Sequence, residues 1–356
     1  MRTILFAGGG TLGPVTPLLT VAKQLRRADA NWKFVWAGTD EGPERELITS
    51  EGIDFITIPT AKLPRHLSWK LVTLPIDYLR AVRTAKRILD TCHPKLVLSA
   101  GGFTAVPVVR EAAGRYIPCI THQLDHDPSL SNRLMAGHCR YVTTSYAYDR
   151  APFGTDVVTY QVPTPTRFSL DDLPTREACC SYFGFNPGNP VLLVTGGGTG
   201  AIQLNKGIEK IEKKLPSNLQ IIHLMGRGKQ YQILTERAGY VSYDFLTDQM
   251  ITALGAADLV VSRAGFGAIS EFAALKKATI LIPLPDSPQE ANARSILDGT
   301  VVVDSKAEGW ERLLLQEIQR LLVDKEERNR LGDQIHRLIP TDQGEALANL
   351  ALSVMK

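Results

Sequence analysis

Twice in this 356-residue chain an uninterrupted apolar run breaks directly into glycines. Ile4-Leu5-Phe6-Ala7 enters Gly8-Gly9-Gly10-Thr11-Leu12-Gly13, and Val191-Leu192-Leu193-Val194-Thr195 enters Gly196-Gly197-Gly198-Thr199-Gly200-Ala201. A short apolar run without polar alternation suits a strand covered on both faces, and glycine behind it allows a sharp turn and close approach of other atoms. A third run, Asp258 to Val261, leads through Ser262-Arg263-Ala264-Gly265-Phe266-Gly267-Ala268-Ile269-Ser270-Glu271 into Phe272-Ala273-Ala274-Leu275, which reads as helix. A strand that passes through glycine into a helix aims backbone N–H groups at one point, and the helix dipole adds partial positive charge there. Such a turn holds phosphate. Glu271, expected near the end of the first helical turn, would accept hydrogen bonds from a diol such as a ribose. The plainer alternative is an ordinary turn with a surface glutamate.

Between these turns, apolar runs alternate with helical stretches. The runs 3–7, 33–38, 55–59, 95–100, 118–122, 141–145 and 157–162 form a first set of expected strands. After Pro163-Thr164-Pro165-Thr166 and a polar run to Pro174, the pattern restarts with 191–195, 219–225, 241–245, 258–262, 279–283 and 301–304. Alternation of this kind predicts two α/β domains, each a Rossmann-like parallel sheet covered by helices, spanning residues 1–163 and 164–340. Ligands of such sheets bind beyond the carboxyl ends of the strands, where all three glycine turns lie.

Composition removes several classes. The formal charge of +3 does not imply nucleic acid, and five cysteines without CxxC spacing indicate neither a disulfide framework nor a zinc site. The first apolar run is far shorter than a signal peptide's, and no window is apolar over the length of a membrane span. The first turn formally satisfies GxGxxG, but the acid that should close the second strand is missing. Asp40 and Glu41 lie several residues beyond it, so an NAD-dependent enzyme is disfavoured.

The N-terminal glycine turn followed by Val15-Thr16-Pro17, the central Gly-Gly-x-x-Gly-Ala turn, Ser-Arg-x-Gly with a following Ser-Glu, and Gln289-x-x-Asn292-Ala293 together resemble the GT-B glycosyltransferases of family 28. Gly101-Gly102-Phe103 is similar to a family Gly-Gly-Tyr, and His122 with Asn132 matches the ends of the family's His-Glu-Gln-Asn region. The resemblance covers nearly the whole chain. It implies a GT-B fold, two Rossmann-like parallel-sheet domains facing a central cleft, and inverting transfer of N-acetylglucosamine from UDP-N-acetylglucosamine. The implied acceptor is an undecaprenyl-pyrophosphate-linked muramoyl-peptide precursor of peptidoglycan. No cofactor and no metal are implied. By the same resemblance Phe245 and Leu246 meet the uracil, Gly265, Phe266, Gly267 and Ala268 hold the diphosphate, Glu271 binds the ribose, and Thr199 and Arg167 reach phosphate. Gln289 and Asn292 meet the sugar, while Gly10, Thr11, Gly13, Gly102, Phe103 and Asp125 face the acceptor. Core packing is the alternative for Phe245 and Leu246, and for Arg263 ligand contact and a structural ion pair stand side by side.

The acceptor side departs from the family. Leu12-Gly13-Pro14 stands where members carry Gly-Gly-His, so a favoured base is absent, and Gln123-Leu124-Asp125 replaces Glu-Gln-Asn. Asp125, His122, His126 and Asp127, in that order, are the remaining candidates for the base. A structural role is the alternative for His122. Asp125-His126-Asp127 also spells the DxD of metal-dependent glycosyltransferases of another fold; in the half opposite the expected donor site it reads as no metal site, and transfer should withstand EDTA. Residues 62–87 mix Lys62, Arg65, Lys70, Arg80, Arg83, Lys86 and Arg87, against one acid, Asp77, with Leu63, Leu67, Trp69, Leu71, Val72, Leu74, Ile76, Tyr78 and Leu79, which favours an anionic membrane surface at the cytoplasmic face. A solvated helix face is the alternative. In this family the last helix crosses back onto the N-terminal domain, which assigns 341–356 to it and makes 163–174 the hinge. Other readings stay open: a GT-B relative with another lipid or sugar acceptor, a UDP-N-acetylglucosamine epimerase, or a nucleotide-sugar-binding protein without catalysis.

Overall fold

A computed structural model of the protein describes residues 2–40, 42, 44–59, 70–148, 150–197, 201–226 and 236–355, with backbone alone for 70–73. The chain forms two compact units, Met1–Arg167 with Asp342–Lys356, and Phe168–Thr341. In the first, β1 (Arg2–Ala7), β2 (Trp32–Gly38), β3 (Asp54–Thr57), β4 (Leu96–Ser99), β5 (Cys119–Gln123), β6 (Tyr141–Thr144) and β7 (Thr159–Gln161) form a parallel sheet in the order β3-β2-β1-β4-β5-β6-β7. A short strand, β8 (Thr164–Pro165), follows. The second unit holds β9 (Val191–Thr195), β10 (Gln220–Leu224), β11 (Tyr240–Tyr243), β12 (Leu259–Ser262), β13 (Thr279–Leu281) and β14 (Val301–Val302), parallel in the order β11-β10-β9-β12-β13-β14. Every apolar run named above overlaps a strand.

The lack of polar alternation has a direct cause. Leu192 and Val194 pack with Ile221, Leu259, Val261 and Ile280 on one face, while Val191 and Leu193 pack with Ile222, Leu224 and Val260 on the other. With helices on both faces, successive side chains all reach a core. In the first unit Leu5 and Ala7 join Val35, Ala37 and Val97, and Phe6 stacks on Trp36 at 5.3 Å between ring centroids.

In both sheets the strand order reverses beside the opening strand, between β1 and β4 and between β9 and β12. The loops that leave those four carboxyl ends begin at Gly8, Ala100, Gly196 and Arg263. A crevice at such a reversal is where open α/β sheets bind ligands. The last helix, Glu345–Val354, packs on the helix Val15–Ala28. Asp342 anchors it: its carboxylate accepts from Gly344 N at 2.7 Å and Ala346 N at 2.8 Å, and its carbonyl accepts from Thr166 N at 2.8 Å.

Candidate active site

The turn after β12 is held rigid from behind. Ala264 is gripped at both ends of its backbone: its N–H donates to Gln289 Oε1 at 3.2 Å, and its carbonyl accepts from Asn292 Nδ2 at 3.1 Å. Gln289 and Asn292 lie three apart on the helix Gln289–Arg294 and so share a face. Gln289 Oε1 also accepts from Leu284 N at 2.9 Å. Two N–H donors on one oxygen fix which way the carboxamide points and turn its NH₂ the other way. Arg263 is 5 % exposed and donates to the carbonyls of Ile282 at 2.9 Å and Pro283 at 3.0 Å, and to Gln203 Oε1 at 3.0 Å. Those partners are uncharged, so of the two readings of Arg263 the ion pair gives way to a clamp on neighbouring loops.

The helix begins sooner than expected. It runs Phe266–Ala274 with Gly265 as its N-cap, and no side chain caps it. Glu271 therefore stands in the second turn rather than near the end of the first, and at 8 % exposure it is no surface residue. Phe266 is 3 % exposed, and Ala268 packs beside the core. A Cβ added at Gly265 or Gly267 would meet nothing within 4 Å. Open space thus lies over the N-terminal end of a nine-residue helix, the geometry that receives an anion. Leu246 is a core residue and Phe245 is half-buried just past β11; a base could meet Leu246 only through its backbone. Arg167, half-buried, ends the first unit's main segment. Thr199 lies outside the described residues.

In the first unit two glycine turns touch. A Cβ on Gly8 would sit 2.5 Å from Gly101 O, and one on Gly102 would sit 3.1 Å from Gly9 N. Gly10 and Thr11 are exposed and Gly13, Gly102 and Phe103 half-buried around this contact. Glu44, fully buried, accepts from Gly10 N at 3.1 Å and Thr39 N at 2.9 Å and so braces the first turn. Pro14 occupies the N-cap of the helix Val15–Ala28.

His122 is fully buried, its Nδ1 2.9 Å from Thr143 Oγ1 and its Nε2 3.3 Å from Ser145 Oγ. Burial pushes its pKa down to about 4. Both ring nitrogens being engaged, the geometry is that of a structural histidine. His126 is partly exposed with Nδ1 3.3 Å from Asp127 Oδ1, and Asp125 is half-buried beside it. Burial, and after it the charges of Asp127 and Asp125, push Tyr148 up to about 12. Among the described residues no cluster of three or more His, Cys, Asp or Glu could hold a metal ion.

The second unit has its own buried histidine. His223 contacts Tyr240 Oη at 2.6 Å and Asn205 Oδ1 at 3.1 Å, and burial pushes its pKa down to about 3. With the folded pKa of each histidine below the ordinary 6.5, the unfolded chain binds the proton first as pH falls. Stability is then full above about pH 6.5 and declines below it by about 1.4 kcal/mol per pH unit for each histidine, toward its folded pKa. A His223→Gln variant should be less stable at pH 7 but show a flatter decline between pH 6.5 and 4 in urea titrations. An unaltered slope would remove His223 as the cause.

Two family models match, the Glycosyltransferase family 28 N-terminal domain over residues 4–144 and the Glycosyltransferase family 28 C-terminal domain over residues 191–336. Curated relatives carry the name UDP-N-acetylglucosamine--N-acetylmuramyl-(pentapeptide) pyrophosphoryl-undecaprenol N-acetylglucosamine transferase. That of Lachnoclostridium phytofermentans is 38 % identical over 80 % of this chain and 79 % of its own length. That of Nocardioides sp. is 32 % identical over 99 % of this chain and 98 % of its own. In fold the chain is similar to MurG of Acinetobacter baumannii, with a TM-score of 0.73 at 20 % identity over 99 % of this chain and all of that one. A UDP-GlcNAc 2-epimerase of Neisseria meningitidis gives 0.69 at 13 % identity over 99 % of this chain and all of that one. With both domain models matched in order and relatives above 30 % identity along most of its length, the chain belongs to glycosyltransferase family 28 and has the GT-B fold.

Proposed function

We propose that the chain transfers N-acetylglucosamine from UDP-N-acetylglucosamine to an undecaprenyl-pyrophosphate-linked muramoyl-pentapeptide. The observation that carries this is the Ala264–Gly267 turn, clamped from behind by Gln289 and Asn292 and open in front, in a chain whose relatives are named for that reaction. The second unit holds the donor: the turn takes the diphosphate on backbone N–H groups, Glu271 the ribose, and the outward NH₂ of Gln289 a sugar hydroxyl. The first unit holds the acceptor, with its two touching glycine turns toward the acceptor's diphosphate. The acceptor hydroxyl attacks the anomeric carbon as the bond to the UDP oxygen breaks, inverting that carbon. Its proton passes to a base, for which Asp125 is the first candidate, and UDP leaves with the bonding electron pair on its β-phosphate oxygen, the added negative charge stabilised at the helix start.

Incubation with UDP-N-acetylglucosamine and a synthetic lipid-linked muramoyl-peptide should add one N-acetylhexosamine to the acceptor by mass spectrometry and release UDP, with EDTA present or absent. No transfer together with no affinity for UDP would overturn the assignment.

The acceptor's lipid implies work at a membrane surface, and the helix Lys70–Cys92 suits one. Residues 62–69 of the expected basic segment lie outside the described residues. Farther along, Ile76 and Leu79 are 54 % and 55 % exposed, and Arg80, Arg83, Lys86 and Arg87 continue the same outward stripe, opposite buried Ala81, Ala85 and Leu89. Among the described residues no helix is long and apolar enough to cross a membrane. At about 1 kcal/mol per cation near an anionic surface, an Arg83→Gln/Arg87→Gln variant should bind phosphatidylglycerol vesicles about thirtyfold more weakly with UDP affinity intact. Vesicle binding equal to wild type would refute this role.

A further inference from the structure

Gln123 ends β5 at 1 % exposure, and its carboxamide makes four hydrogen bonds. Nε2 donates to Asp125 O at 2.7 Å and to Asp127 O at 3.0 Å. Oε1 accepts from Asn132 Nδ2 at 2.6 Å and from Ser129 N at 3.3 Å. One end only donates and the other only accepts, so neither a carboxylate nor an apolar side chain reproduces the set. Three consecutive odd-numbered residues of the loop, 125, 127 and 129, are thereby folded around a single side chain.

The clamp is itself anchored to the second glycine turn. Asn132, also 1 % exposed, donates through Nδ2 to His122 O at 3.3 Å and through its backbone N–H to Ser129 Oγ at 3.2 Å. Ser129 Oγ lies 3.1 Å from Ser131 Oγ, which accepts from Gly102 N at 3.2 Å. One buried network therefore joins the Gly101-Gly102 turn to the loop that carries Asp125. A satisfied network of this kind rigidifies what it connects.

We propose that Gln123 is a positioning residue for glycosyl transfer: its carboxamide shapes the 125–129 loop and holds Asp125 in register with the acceptor turns. This rests on the function proposed above. Transfer depends steeply on placement, so releasing the loop slows the chemical step while the donor, bound by the other unit, is untouched.

The test compares Gln123→Glu and Gln123→Leu with the wild type in transfer kinetics at matched pH, donor affinity, thermal unfolding and amide hydrogen exchange. In Gln123→Glu the ionised carboxylate faces the Asp125 and Asp127 carbonyls without a proton; protonation returns an O–H donor to one of them. At pH 8 both variants should lose about a hundredfold in kcat with KM for UDP-N-acetylglucosamine within about twofold of wild type. Relative to wild type at the same pH, Gln123→Glu should recover about tenfold on acidification to pH 6, whereas Gln123→Leu should recover nothing. The amides of 124–127 and of Ser129 should exchange faster in both. Wild-type kcat in Gln123→Glu across this range, or a loss matched by equal losses of UDP affinity and thermal midpoint, would overturn the proposal. Unchanged exchange of 124–127 and Ser129 in Gln123→Leu would overturn the clamp and the proposal with it, whereas a wild type that transfers nothing would overturn the function beneath it.

Discussion

A Gly267→Val variant is expected to lose at least about a hundredfold in affinity for UDP, close to 3 kcal/mol, while its second unit stays folded. The argument is geometric. Nothing lies within 4 Å of a Cβ placed at Gly267, and its backbone is not in the left-handed region, so an L side chain is accommodated without strain. Glycine is also among the poorer helix formers, so valine there costs nothing in propensity. What it fills is the space in front of the N-terminal end of the helix Phe266–Ala274, where backbone N–H groups and the dipole attract a diphosphate. Gly332 supplies the contrast: a Cβ there would sit 2.1 Å from Lys276 O, so Gly332→Ala should destabilise the second unit by about 3 kcal/mol. Calorimetric titration with UDP and urea unfolding separate the two effects. UDP bound at wild-type strength by Gly267→Val would place the diphosphate elsewhere and take the donor assignment with it.

That turn was legible in the sequence because its parts are local. An apolar run followed by glycine and a small-residue helix start encodes strand, turn and helix within about fifteen residues, and the same code written at Gly8 and Gly196 gives the sheets. What holds the turn in place was not legible in the same way. The resemblance gave Gln289 and Asn292 a place at the sugar, but nothing local showed that the oxygen of one and the nitrogen of the other also engage the backbone of Ala264, twenty-five or more positions away. Arg263 likewise looked ready for a phosphate or an acid and instead grips the Ile282 and Pro283 carbonyls. A polar side chain's partner is set by tertiary approach, which spacing along one strand does not record. The only local hint was a helical spacing of three between Gln289 and Asn292, which puts both on the face that meets the turn. Gln123 gave a weaker one, a long amide at the end of an apolar strand where the chain needs its loop closed without charge. The start of the helix at Phe266 was hidden for a simpler reason: Gly265-Phe266-Gly267 has poor helix propensity, and packing of buried Phe266 and Ile269 decides the matter.

An Asp125→Asn variant should lower kcat by a factor of about 10² to 10⁴ and leave KM for the donor unchanged. Inverting transfer needs a group that takes the acceptor's proton as the new bond forms, and Pro14 removes the histidine that the family places in the first turn. His122 does not fill the vacancy. It is fully buried, both ring nitrogens face hydroxyls, and burial holds it neutral down to about pH 4, so as a base it would be weak as well as enclosed. Asp127 has a side chain 65 % exposed and shares its hydrogen bond with His126, which suits a solvated pair. Asp125 differs from both in being half-buried, neither enclosed like His122 nor exposed like Asp127, in a loop whose backbone Gln123 fixes at Asp125 and Asp127 alike. Burial, and after it the charges of two nearby carboxylates, keeps the Tyr148 phenol protonated, which disqualifies it as the base and leaves it to donate to His126 O at 2.7 Å. Asp127→Asn should accordingly stay within about threefold of wild type. In wild type the acidic limb of the kcat profile follows ionisation of the base, and in Asp125→Asn that limb should vanish along with the rate. Full activity in Asp125→Asn with a collapse in Asp127→Asn would reverse the assignment, and the proton would then leave through the His126–Asp127 pair at the loop's exposed side.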